Sequence, residues 1–83
     1  MDYYLTVHAK DALAKRGIAL EWLEQVLGAP ERTEPDLVDP ALEHRLAHIA
    51  ANENRVLRVI VNVRASPPRI VTAYFDRAVK DKL

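Results

Sequence analysis

The stretch Ala41-Leu42-Glu43-His44-Arg45-Leu46-Ala47-His48-Ile49-Ala50-Ala51 decides the fold, because it reads two ways. As a helix, it begins well: Asp39-Pro40 supplies an N-cap and a first-turn proline, and Leu42, Leu46 and Ile49 recur at i, i+4 and i+7. Its alanines favour that reading. As a strand, Leu42, His44, Leu46 and His48 share one face, and Glu43, Arg45, Ala47 and Ile49 share the other. The local pattern leans to helix.

The chain on the C-terminal side of this stretch has one reading. After the turn Asn52-Glu53-Asn54, the run Arg55 to Arg64 alternates, with Leu57, Val59, Val61 and Val63 on one face and Arg58, Ile60, Asn62 and Arg64 on the other. That is a half-buried strand rich in β-branched residues. Ser66-Pro67-Pro68 stops it, since proline cannot donate to a ladder. Residues 69–75 form the next strand, and a three-residue loop predicts Val63 opposite Val71, Val61 opposite Ala73 and Val59 opposite Phe75. The tail from Asp76 to Leu83 is polar and reads as a short helix or a frayed end.

On the N-terminal side, Tyr3-Tyr4-Leu5 is a short edge strand and Thr6 an N-cap. A helix follows from Val7 to Arg16, closed by Gly17 after a basic last turn. A second helix covers about 20–27, with Leu20, Leu23, Val26 and Leu27 as its stripe and Gly28 and Pro30 as its end. Residues 31–40 are acidic and hold two prolines, so they yield at most an edge strand plus a loop. The expected architecture is α+β: two N-terminal helices packed on an antiparallel meander sheet, with a short N-terminal strand.

Composition bounds the function. At 83 residues the chain is read as one domain, 1–83. It has no cysteine, which excludes disulfides and thiolate metal sites. No basic leader and no long apolar run is present, so the expected location is the cytoplasm, with no membrane partner. The formal charge is zero, yet residues 1–43 carry four basic and nine acidic side chains while residues 44–83 carry eight and three. If those halves are layers, an acidic helical back supports an arginine-bearing sheet that meets phosphate or an acidic partner.

Few residues carry chemistry. His8 falls in the first turn of a helix, where a neutral imidazole is favoured and serves as a proton acceptor or a phosphate contact. His44 and His48 share a helix face at a metal-ligand spacing, but on a strand they stand ~13 Å apart. No third ligand is evident, so no metal or other cofactor is expected. Two glycines allow no phosphate-binding loop. The informative residues are arginines on strands and strand ends. Arg45, Arg58, Arg64 and Arg69, with Tyr74 and Arg77, are expected to converge on the open sheet face, where guanidinium groups hold phosphate bidentately.

These motifs also carry a resemblance. Thr6-Val7-His8-Ala9 with Lys15-Arg16-Gly17-Ile18, then Asn54-Arg55-Val56-Leu57-Arg58-Val59-Ile60 and Pro68-Arg69-Ile70-Val71-Thr72-Ala73-Tyr74-Phe75-Asp76-Arg77, resemble a small uncharacterised bacterial family. The order of elements is similar to BrnT and, more distantly, to RelE/ParE toxins. BrnT-like chains have a Lys-His-Gly-Val turn where this one has Lys15-Arg16-Gly17-Ile18, and a final arginine where it has Tyr74. The resemblance implies that residues 42–49 are a strand, against the local preference. It implies a ribonuclease of a toxin–antitoxin pair, with an antitoxin protein and RNA or the ribosome as partners. Arg45, Arg55 and Tyr74 match the catalytic positions, with Arg77 and His8 beside them and Arg58, Arg64 and Arg69 binding nucleic acid. The alternative on the same fold is a non-catalytic protein- or nucleic-acid-binding module. A homo-oligomer is a third reading, with the apolar pair Leu37-Val38 as its contact.

Overall fold

The deciding stretch is a strand. A computed structural model describes residues 2–79 and 82–83. Its elements are β1 (Tyr4–Leu5), α1 (Val7–Arg16), α2 (Leu20–Gly28), β2 (Arg32–Pro35), β3 (Leu42–Ile49), β4 (Arg55–Asn62) and β5 (Arg69–Phe75). Short 3₁₀ turns lie at Ala50–Asn52 and Arg77–Val79. The expectation for the polar tail falls partly on Lys80 and Asp81, outside the described residues. No described helix is long and apolar enough to cross a membrane.

The sheet order is β1-β5-β4-β3-β2. β3 is paired along one side by β4 and along the other by β2. That double pairing outweighs helix propensity, which is a weak preference once tertiary partners exist. Period two then sends Ala47 and Ile49 to the helix-covered core and Leu46 to the opposite face, all three buried. β1 joins β5 in parallel, so the sheet is mixed rather than a pure antiparallel meander.

Both helices cover one face. Thr6 caps α1 by accepting from the Ala9 amide at 3.1 Å, and its hydroxyl also donates to the Ile70 carbonyl at 2.9 Å. One side chain thus starts the helix and ties it to β5. Gly17 ends α1 at φ 61, a left-handed conformation that costs glycine little. α2 has no side-chain cap at Ala19, so its place rests on packing. Leu23, Val26 and Leu27 are buried against Leu57, Val59, Val61 and Ile70, each side chain stabilising the fold by about 1.5–3 kcal/mol. Leu20, assigned to that stripe from its spacing, is half exposed.

Two expectations need correction. The β4–β5 register places Val59 opposite Ala73 and Leu57 opposite Phe75, two residues from the predicted pairing. β4 stops at Asn62, whose side-chain oxygen accepts from the Arg64 amide at 3.1 Å, so the connection is longer than three residues and Val63 lies outside the strand. A bulge at Ile60/Val61 absorbs Val71. The shift is two up to the bulge and three beyond it, and because the bulge takes up the odd residue the apolar faces still coincide, with buried Val61 opposite buried Ile70. The charge halves, in contrast, are not layers. The acidic segment contributes β2 to the sheet, which brings Glu34 opposite His44 on the face that also bears Arg58.

Candidate functional site

The sheet face turned away from the helices holds a polar network centred on Arg58, which is only 8% exposed. Arg58 sits mid-strand on β4, opposite Leu46 on β3 and Tyr74 on β5. Its Nη1 donates to Glu34 Oε1 at 2.6 Å and to His44 Nδ1 at 2.7 Å, and its Nε donates to Asp76 Oδ2 at 2.9 Å. Arg32 meets the other Glu34 oxygen from Nη2 at 2.9 Å. Because a guanidinium only donates, His44 Nδ1 must accept, so the Nε2 nitrogen carries the proton and donates it to Asp36 Oδ1 at 2.7 Å. Both ring nitrogens are therefore engaged.

Electrostatics closes the network further. Hydrogen bonds from Arg58 first and Arg32 second hold the Glu34 carboxyl below the usual range. The Asp39 amide first, then His44 and the Val38 amide, do the same for Asp36. Burial pulls the Arg58 guanidinium down, but Glu34 and Asp76 outweigh it and leave the group raised. Arg58 and Arg32 together face Glu34, Asp36 and Asp76, so the centre of the open face is not basic.

At the end of the sheet where β4 begins and β5 ends lies a different feature. Arg55, Val56, Phe75, Asp76 and Arg77 line a cleft of about 240 Å³. Its floor is apolar, and Phe75 is steadied by an edge-to-face contact with Trp22 at 6.1 Å between ring centroids. Asp76 has both oxygens engaged, Oδ2 by Arg58 and Oδ1 by the Ala78 amide at 3.0 Å, so its charge is largely answered from behind. Arg55 forms an exposed pair with Glu53 at 3.1 Å, and Arg77 has no ion-pair partner among the described residues.

The arginines expected to converge divide among several places. Arg55 and Arg77 line one cleft, and Tyr74 lies one residue from its lining but faces Arg58. Arg45 is on the other side of the sheet, because it pairs with Val59 in the core register. There its Nη1 donates to the Leu27 carbonyl at 3.2 Å and its Nε to Glu43 at 2.8 Å, so it satisfies an orphan carbonyl of α2. His8 is exposed on the first turn of α1, in the helical layer. Arg64 lies in the β4–β5 connection, and Arg69 rests over the Tyr4 ring at 5.7 Å. His44 and His48 hold no metal geometry; no metal-binding cluster occurs among the described residues.

Sequence reasoning passed over Glu34, His44 and Asp76 as partners of Arg58, and Asp36 as the partner of His44. The period-two pattern already put His44 and Arg58 on one face, but the acids arrive through the β2 pairing and the turn after β5, which periodicity does not encode. Arg16 was missed as well. Its Nη1 donates to the Ala73 carbonyl at 2.8 Å and Thr72 Oγ1 at 3.3 Å, fastening α1 to β5.

Comparison with curated proteins and with solved structures finds no match. The sequence profile of a domain of unknown function, DUF4258, matches residues 5–75, from β1 to the last residue of β5, and so covers the network apart from Asp76 and the cleft apart from Asp76 and Arg77. The chain therefore belongs to the DUF4258 family.

Proposed function

We propose that the protein is a non-catalytic nucleic-acid-binding module that takes an RNA phosphate between Arg55 and Arg77. The observation that carries this reading is the cleft: one arginine at the head of β4 and one in the 3₁₀ turn after β5, lining it together with Val56 and Phe75. Guanidinium groups hold a phosphate bidentately, and an aromatic edge beside them offers contact to a base. The one carboxylate lining the cleft, Asp76, already accepts a hydrogen bond on each oxygen, from Arg58 and from the Ala78 amide, so it is not poised toward the cleft as a general base. Binding without cleavage follows from that. The test is fluorescence anisotropy with a short single-stranded RNA at low salt. The Arg55→Ala/Arg77→Ala double variant is expected to lose most of the affinity and the wild type to leave the RNA intact. An unchanged double variant overturns the reading.

A second reading, a ribonuclease toxin related to RelE and BrnT, has its own support in the Asp36–His44–Arg58 chain with Tyr74 beside it. A carboxylate that orients an imidazole next to an arginine is an arrangement suited to 2′-hydroxyl activation and phosphorane stabilisation. It requires the Arg58–His44 bond to open on substrate binding, which frees Nδ1 to accept the hydroxyl proton. Growth arrest on expression that His44→Ala and Tyr74→Phe both relieve, with cleaved RNA, supports it. Harmless expression at high level counts against it.

A further inference from the structure

The loop after β2 presents Leu37 and Val38 side by side at 99% and 90% exposure. Other exposed large apolar residues, such as Val7 and Leu20, are more covered and lie singly, which is ordinary for a protein surface. This pair is held in place. Asp36 Oδ2 accepts from the Val38 amide at 3.1 Å and the Asp39 amide at 2.9 Å, Asp39 Oδ1 accepts from the Ala41 amide at 2.9 Å, and the Asp36 amide donates to the Leu42 carbonyl at 3.2 Å. Two aliphatic side chains are thus kept in water by a built turn, already in a shape a partner can use. Beneath them opens a cavity of about 440 Å³ between Pro35, Leu37 and Val38 on one side and Glu34, Asp36, His44 and Arg58 on the other.

Charge selects the occupant. Of the acids in residues 31–43, Glu34 is paired by Arg32 and Arg58, Glu43 by Arg45 and Glu31 by His48, whereas Asp36 and Asp39, which flank Leu37 and Val38, have no arginine or lysine partner among the described residues. The one cation in the cavity wall, Arg58, is already held by Glu34 and Asp76. An apolar tip flanked by carboxylates without a cationic partner favours a cationic occupant. We infer that Leu37, Val38 and the cavity beneath them form a docking surface for a basic amphipathic segment of another protein. The partner's apolar side chains cover Leu37 and Val38, and its lysines or arginines meet Asp36 and Asp39. This surface is separate from the Arg55–Arg77 cleft and does not depend on it.

The test uses fluorescently labelled short amphipathic peptides, one with leucine on one face and lysine and arginine on the other, and one with glutamate in place of the cations. The whole protein is expected to bind the basic peptide and not the acidic one, more weakly as salt rises. Leu37→Ser/Val38→Ser is expected to weaken binding by roughly tenfold or more. Both residues are exposed, so an unchanged thermal midpoint shows that the fold is kept. Equal binding by the double variant, or equal binding of the acidic peptide, overturns the inference. So does sedimentation showing a wild-type dimer that the same variant converts to monomer, since the occupant is then a second copy.

Discussion

Arg58 and Arg55 stand three residues apart on β4, yet they do opposite things. Arg58 is in mid-strand, where β2 and the turn after β5 surround it with carboxylates and leave it almost no water. Arg55 is the first residue of the strand, where its one ion pair among the described residues is to an exposed glutamate and the cleft beside it is open. The same side chain is a structural hub in one position and an available cation in the other. Sequence spacing cannot distinguish them; position within the sheet does.

The largest contrast is in stability. Arg58→Met leaves Glu34 and Asp76 facing each other's charge and His44 Nδ1 without its donor. Removing one partner of such a cluster costs about 2–4 kcal/mol, less than for a fully buried pair because Glu34 keeps some solvent. Arg55→Met is expected to change stability by no more than about 0.5 kcal/mol. Urea denaturation of both variants measures the difference. Equal losses break the comparison.

RNA affinity is expected to show the reverse contrast. Arg55→Ala and Arg77→Ala each remove one phosphate contact and reduce the slope of log K against log salt by about 1. Arg64→Ala serves as the control, because Arg64 lies beyond the far end of β4 and outside the cleft lining. If Arg64→Ala lowers the slope as much, the cations act as a diffuse field and the cleft is not the site.

Acid separates the two regions next. Glu34 and Asp36 have folded pKa values below their ordinary ones, lowered chiefly by Arg58 and by the Asp39 amide. A carboxyl depressed on folding contributes stability that is fully present above its unfolded pKa and is lost as pH falls through the folded one. The acid limb of stability therefore lies at and below the usual carboxylate range. Glu34→Gln is expected to shrink that limb and to lower stability at neutral pH, whereas Arg55→Ala leaves the limb as in the wild type. Chemical denaturation between pH 3 and 7 reads both outcomes, taking about that window from ordinary carboxylate pKa values.

Much of this is legible in the sequence itself. Gly17 and Thr6 announced the limits of α1, and Leu57, Val59 and Val61 announced the core face of β4. Both are local signals with direct physical causes. The strand at Leu42–Ile49 was not local: its alanines and its Asp39-Pro40 start favour helix, and only the pairing with β2 and β4 reverses that. The register missed by two because a bulge and an Asn62 turn leave no mark on alternation. The site was the least legible part. Arg45 looked like an equal of Arg58, but one residue of parity sends it to the α2 terminus instead. Reading Glu31, Glu34 and Asp36 as the back of the molecule missed that an acidic edge strand neutralises the arginine next to it.

The smallest expected effect is also the most discriminating for Arg55. Its only described ion pair is with Glu53, whose side chain is 76% exposed. Exposed pairs of this kind are worth about 0.2–1 kcal/mol or less, so Glu53→Gln leaves stability nearly unchanged. Glutamine keeps the side-chain length. That matters because Glu53 has φ 56, where a residue with other backbone preferences would alter the turn itself. With the pair gone, Arg55 is free to turn fully toward the cleft, and the nearby negative charge is removed. RNA affinity is expected to rise about twofold at low salt and to converge with the wild type as salt rises. A fall in affinity would mean that Glu53 positions Arg55 for its ligand. The open end of β4 would then be built as deliberately as its closed centre.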